Sequence, residues 1–201
     1  MNERIGIFGG RFDPIHIGHL IVAQDVAEKL SLDKVIFLVS FRPPHKSSFT
    51  AFEHRFRMVQ LATMDNPRFI ASDFERKLNL AKSYTVEVLK EMLKEELAGH
   101  QVYFLMGTDQ FVTLETGWYK PELLFELVQV VVMRRACGSH ASLSMSKFAD
   151  RAIFINQRQI DLSSTEIRER VRQGLPIKYL TPVKVEHYIH QHGLYSGGIK
   201  L

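Results

Sequence analysis

Apolar residues in this chain fall into two alternating patterns. Short continuous runs cover residues 5–8, 34–39, 68–72, 101–106, 128–133 and 152–155, each the length of a strand. Several are almost wholly apolar, as expected of parallel strands covered on both faces. Between them apolar positions recur every three or four residues. Residues 17 to about 30 carry Leu20, Ile21, Ala23, Val26, Ala27 and Leu30 at helical spacing, and 51 to about 64 carry Phe52, Phe56, Val59 and Ala62. A third helix is expected from Ser83, its N-cap, to about Leu97, with Gly99 after it. A short one covers 122–127, and a last one runs from Pro182, suited to a first turn, to about His192.

The alternation starts β–α–β within the first forty residues and predicts an α/β fold: a doubly wound parallel sheet of five to six strands with a C-terminal helical extension. One domain over 1–201 is expected, with a core to about residue 160 and a helical part over about 161–195. Glu53, His54, Arg55 and Arg57 read mostly as a solvated helix face. Residues 73–81 read as polar and mobile, 134–146 as an exposed connection, and the Gly-rich tail as loose.

Composition narrows this picture modestly. The chain has 201 residues, 45% hydrophobic and 24% charged, with a net charge of +4. A mild basic excess without a long basic block suits an acidic small ligand better than a nucleic-acid duplex. Cys137 is the only cysteine, so no internal disulfide forms, which is compatible with a reducing compartment. The chain enters its first strand at once, without a leader-like apolar segment, and no run approaches the roughly 18 residues of a membrane span. A soluble cytoplasmic protein is expected, with no membrane and no nucleic-acid partner. The oligomeric state is not fixed by the sequence, and a homo-oligomer stays open.

Candidate chemistry concentrates where strands end. The first strand runs into Gly9-Gly10, a turn at Phe12-Asp13-Pro14, and then His16 and His19 at the mouth of the first helix. Glycines admit close ligand approach, and a helix start offers N–H groups and a positive dipole end, which suit a phosphate. Neither G-x-G-x-x-G nor a Walker A loop is present. Arg42, His45 and Lys46 follow the second strand on a loop stiffened by Pro43-Pro44. Tyr84-Thr85 sit at another helix start. Gly107-Thr108-Asp109 follow the fourth strand, where Asp109 suits ribose hydroxyls, an adenine amine, a metal-bound water or a plain helix cap. Trp118, the only tryptophan, suits core packing or stacking on an aromatic ligand. In 161–168, Ser163, Ser164 and Thr165 place hydroxyls at a helix start, with Arg168 one turn on. His187, His190 and His192 are badly phased for a metal site and no acidic cluster joins them, so no protein-held metal is expected.

Taken together these stretches resemble the nucleotidylyltransferase superfamily. Gly9-Gly10-Arg11-Phe12-Asp13-Pro14 with His16-Ile17-Gly18-His19 is similar to its [T/H]-x-G-H signature, and Ser163-Ser164-Thr165-Glu166-Ile167-Arg168 to its second. Pro43-Pro44-His45-Lys46, Ser83-Tyr84-Thr85, Gly107-Thr108-Asp109 and Trp118 extend the resemblance to bacterial nicotinate-nucleotide adenylyltransferases. It implies a Rossmann-like fold and a reaction of ATP with nicotinate mononucleotide giving deamido-NAD and pyrophosphate, with Mg²⁺ carried on the ATP phosphates. It implies His16, His19, Lys46 and Arg168 as catalytic residues. Gly9, Gly10, Phe12, Gly18, Gly107, Asp109, Ser163, Ser164 and Thr165 would bind ATP, and Asp13, Tyr84, Thr85 and Trp118 the nicotinate nucleotide. Arg11 departs from the pattern, which has a small Thr or Ser there, and Val88 stands where a Thr often follows the acid. Phosphopantetheine and nicotinamide mononucleotide adenylyltransferases, a class I aminoacyl-tRNA synthetase fragment and a non-catalytic nucleotide sensor are the competing readings.

Overall fold

The computed structural model describes residues 2–42, 50–134 and 146–197. Six strands form one parallel sheet in the order β3-β2-β1-β4-β5-β6. They are β1 (Arg4–Gly10), β2 (Lys34–Val39), β3 (Phe69–Ser72), β4 (Gln101–Gly107), β5 (Gln129–Met133) and β6 (Ile153–Ile155). Helices α1 (Ile17–Lys29), α2 (Phe52–Thr63), α3 (Phe74–Leu78), α4 (Thr85–Glu95), α5 (Thr108–Val112), α6 (Leu114–Gly117), α7 (Pro121–Leu127), α8 (Ser164–Arg172) and α9 (Val183–Gln191) connect or follow them.

The near-continuous apolar runs have a direct cause: both sheet faces are covered. Alternate residues of each strand enter opposite cores. Ile36, Leu38, Phe104, Met106, Val130 and Val132 pack with Val86, Leu89 and Met92 of α4 and Leu124 of α7. Their neighbours Val35, Phe37, Leu105 and Val131 pack with Ala23 and Val26 of α1, Met58 and Val59 of α2, Ile167 of α8, and Val185 and Ile189 of α9. The C-terminal helices therefore share one apolar cluster with α1 and α2. Among the described residues, no helix is long and apolar enough to cross a membrane.

Strand order reverses at β1. The chain winds outward through β2 and β3, then returns to lay β4, β5 and β6 on the other side. Pairing of β1 with β2 continues to Gly10–Val39, whereas its pairing with β4 ends at Phe8–Leu105. The sheet thus parts beyond Phe8, between the carboxyl ends of β1 and β4, which is where ligands settle in open α/β sheets.

Three local expectations are corrected. Residues 74–78 of the stretch expected to be mobile form α3, with Phe74 and Glu75 buried. Ser83 does not cap the following helix: Tyr84 holds the N-cap position, no side chain caps it, and Ser83 is buried beneath. Arg55, expected on a solvated face, is fully buried.

Candidate active site

At the end of β1 the chain turns back through Phe12, whose φ of 50° is left-handed. Its ring lies over Gly10, where a Cβ would meet it at 2.9 Å. That ring is buried against Phe8 and Phe37 and meets the His19 imidazole edge-on at 5.2 Å. Phe12 therefore supports a histidine from behind. At the start of α1 the His16 and His19 rings stack with centroids 3.6 Å apart. Gly18 makes room, since a Cβ there would come within 3.0 Å of His16 Nδ1. The backbone N–H of His16 donates to His19 Nδ1 at 3.2 Å. An Nδ1 that accepts leaves the ring proton on Nε2, so neutral His19 presents a donor there. The N–H of Ile17 is taken by the Leu180 carbonyl at 3.0 Å, a contact across the chain that no local motif announces.

The 163–168 stretch is joined to this loop directly. Ser163 is the N-cap of α8, accepting the Glu166 N–H at 3.1 Å. Ser164 Oγ donates to the Pro14 carbonyl at 2.9 Å. Arg168 donates from Nη1 to the Asp13 carbonyl at 2.7 Å and from Nη2 to Thr165 Oγ1 at 3.1 Å. Segments about 150 residues apart thus form one surface, with the guanidinium oriented by two fixed acceptors.

Behind the loop lies a buried polar network that the sequence did not disclose. The Asp13 carboxylate accepts the Tyr195 hydroxyl at 2.7 Å and the Thr50 N–H at 3.2 Å. Arg55 donates to the carbonyls of Arg11 at 2.8 Å and Thr50 at 2.9 Å. Burial draws the Arg55 guanidinium below its usual range, opposed by the charges of Asp13 and Glu75. Burial, reinforced by Asp13, drives the Tyr195 phenol well above its usual range, so it stays a hydrogen-bond donor. We expect Tyr195→Phe to lower stability by about 1.5–3 kcal/mol, the range for a hydrogen bond to a charged group. Urea unfolding measures it, and a change below about 0.5 kcal/mol would mean that Tyr195 does not brace the loop.

Glu75 is the other buried acid of this network. Its carboxylate accepts the Phe41 N–H at 2.9 Å, faces the Ser83 hydroxyl and feels Arg55, yet burial dominates and raises its pKa from 4.5 to about 7. The folded state therefore keeps a proton that the unfolded chain has released. The resulting stability is fully present below pH 4.5 and is lost as pH rises through about 7. The loss amounts to about 3 kcal/mol. Urea unfolding of the wild type and Glu75→Gln at pH 5 and pH 8 should show this difference shrinking in the variant; parallel pH dependence in both proteins would refute it.

A second group forms on the far side of the opening. Tyr84, at the N-cap of α4, packs on Tyr119 with ring centroids 4.6 Å apart, and Lys120 pairs with Glu87 at 3.9 Å. Trp118 is part-buried against the core and meets the Phe104 ring edge-on at 6.2 Å. Phe104 in turn is the nearest side chain to Gly9, 3.6 Å from where a Cβ would stand. The two ring pairs, Phe104 with Trp118 and Tyr84 with Tyr119, are joined through the adjacent residues Trp118 and Tyr119. Tyr119 was not among the expected residues; its adjacency to Trp118 was the available signal.

Gly107 ends β4, and Asp109 lies exposed in the first turn of α5. Lys46, with Pro43, Pro44 and His45, lies outside the described residues. His192 packs on Tyr188 and His54. Among the described residues, no group of three His, Cys, Asp or Glu side chains could hold a metal ion.

Known proteins are similar to this chain in sequence and in fold. The cytidylyltransferase-like family model matches residues 7–170. The "Probable nicotinate-nucleotide adenylyltransferase" of Tropheryma whipplei strain Twist is 41% identical over 189 residues, covering 93% of this chain and 97% of the relative. The protein of the same name from Thermomicrobium roseum is 40% identical, covering 96% and 92%. The Plasmodium falciparum nicotinic acid mononucleotide adenylyltransferase complexed with NaAD superposes with a TM-score of 0.79 at 20% identity over 99% of this chain and 100% of that one, a likeness of fold. The parting of the sheet beyond Phe8, the joined histidine and Ser-Ser-Thr segments, and these full-length relatives lead to one conclusion: the chain belongs to the nicotinate-nucleotide adenylyltransferase family.

Proposed function

We propose that the protein transfers the adenylyl group of ATP to nicotinate mononucleotide, giving deamido-NAD and pyrophosphate, by direct in-line attack. The observation that carries this reading is the junction of the two signature segments through Arg168, Asp13, Ser164 and Pro14 beside the stacked histidines. An oxygen of the mononucleotide phosphate forms the new bond to the α-phosphorus of ATP as the bond from that phosphorus to the bridging oxygen breaks. Pyrophosphate leaves with both electrons of that bond. The attacking phosphate is ionised at neutral pH, its second pKa lying at about 6. No general base is needed, and catalysis reduces to positioning and charge stabilisation.

In this reading His16 and His19 donate to the α- and β-phosphate region. Thr165 and Arg168 hold the departing pyrophosphate, and Lys46 adds positive charge at the phosphates. Mg²⁺ arrives on the ATP phosphates as part of the substrate, largely water-coordinated. Gly9, Gly10, Gly107 and Asp109 line the adenosine side. Tyr84, Thr85 and Trp118 cradle the nicotinate ring, where the start of α4 favours its carboxylate over an amide. Asp13 also holds the loop, its two carboxylate oxygens accepting from Tyr195 and Thr50.

The test is pyrophosphate release with ATP, Mg²⁺ and one of three acceptors. Nicotinate mononucleotide should release it together with the dinucleotide, its amide much more slowly, and phosphopantetheine not at all. No release with the first acceptor overturns the reading. Equal rates with acid and amide overturn the selectivity assigned to the start of α4.

A further inference from the structure

Glu75 belongs to no signature and is not placed against a substrate, yet it joins two segments that flank the opening. It is 8% exposed on α3, at the carboxyl-end side of β3. Its Oε2 accepts the Phe41 N–H at 2.9 Å, just beyond β2. Ser83, buried and immediately before Tyr84 and Thr85, stands near the same carboxylate without a hydrogen bond from its hydroxyl. The two segments also meet each other, since the Ser83 N–H donates to the Arg42 carbonyl at 3.0 Å. On the other side Glu75 faces Arg55, which holds the backbone of Arg11 and Thr50. One buried carboxylate therefore stands between the start of α4, the segment after β2 and the turn after β1.

From this placement we infer that Glu75 is a positioning residue for the mononucleotide side of the site, fixing Tyr84 and Thr85 through Ser83 and Phe41. The inference rests on the adenylyl-transfer reading above. An ionised carboxylate accepts the Phe41 N–H with full charge. A neutral one must carry its own proton on one oxygen and grips more weakly. Because burial places its titration near pH 7, the grip tightens as pH rises through neutrality. The charge that acts on it is that of Arg55 of α2; on its own helix Arg76 is paired with Glu53 at 3.5 Å and Lys77 with Asp73 at 3.1 Å.

Glu75→Gln keeps the shape and the acceptor but removes the charge. At pH 8 we expect KM for nicotinate mononucleotide to rise about tenfold, as for loss of a charge-assisted hydrogen bond, with kcat little changed. At pH 6 the wild type should approach the variant, so the ratio of the two KM values falls towards one. The ratio also cancels the titration of the substrate phosphate itself. Glu75→Asp, which keeps the charge but shortens the reach to the Phe41 N–H, should also raise this KM, and serves if the first variant fails to fold. Independently of activity, the Phe41 amide resonance should titrate near pH 7 in the wild type and not in Glu75→Gln. An unchanged KM at pH 8, or a pH-independent ratio, overturns the inference while wild-type turnover stands. Absence of wild-type turnover would instead remove the underlying reading, and the Phe41 titration would still report the contact.

Discussion

Replacing His19 with alanine is expected to lower kcat about a hundred- to a thousandfold while ATP binding changes little. The magnitude is that for loss of one preorganised donor to charge developing in a transition state. The structure supplies the reason for preorganisation. His19 is held by the His16 N–H at its Nδ1, by the His16 ring stacked on one side and by the edge of Phe12 on another. The imidazole therefore pays little reorganisation as negative charge accumulates on the phosphate oxygens. In the proposed site ground-state ATP would be shared among many groups, so removing a single donor should leave most of its binding in place. Single-turnover pyrophosphate release and equilibrium ATP binding separate the two effects. Equal losses in both would reassign His19 to ground-state binding. His19→Asn, which retains an N–H donor, should recover part of the rate.

Arg168→Ala is expected to have an effect of similar size, at least about a hundredfold in kcat/KM for ATP, for two reasons that compound. Its guanidinium places a permanent positive charge beside the Ser-Ser-Thr helix start, and its Nη1 ties that helix to the Asp13 carbonyl. Arg168→Lys separates these parts. Lysine carries the charge but cannot span two acceptors with a planar fork, so it should recover less than half of the lost activation free energy. Full recovery by lysine would mean that charge alone matters and that the junction of the two segments is incidental. A fall in unfolding stability with kcat/KM unchanged would reduce Arg168 to a structural tie.

Legibility from sequence followed whether a feature has a local signature. The strands β2, β4 and β5 stood out because a sheet covered on both faces demands uninterrupted apolar runs, and the outer helices because one stripe of each is apolar. The two signature segments stood out because glycines, a turn and clustered hydroxyls at helix starts have meaning at short range. What did not stand out was set by distant partners. Arg55 looked like any helix-surface arginine, since the carbonyl it serves at Arg11 is 44 residues away. Glu75 sat in a stretch that reads as polar because its partner Phe41 is 34 residues away. Tyr195 lay in a tail that reads as loose, although it bonds Asp13 across 182 residues. A buried polar side chain is indistinguishable from an exposed one until its partner is known.

Arg11 shows a partial gain. Its carbonyl is the acceptor that anchors Arg55, which any residue type at this position can provide. Nothing in the structure explains why the side chain is arginine where the family pattern has a small residue. Phe12, by contrast, gains a structural reason: the residue is 3% exposed and its ring backs His19. Asp13 gains a role likewise, as the anchor of the loop through Tyr195 and Thr50.

The central claim is that the two signature segments hold one triphosphate for direct attack by the mononucleotide. ATP labelled at the α-phosphorus, mixed with the protein, Mg²⁺ and nicotinate mononucleotide and then quenched with acid, tests it most directly. The label should appear in the dinucleotide, one for each pyrophosphate released, with none on the denatured protein at any time. Label retained covalently on the protein, or released only as AMP, would contradict it.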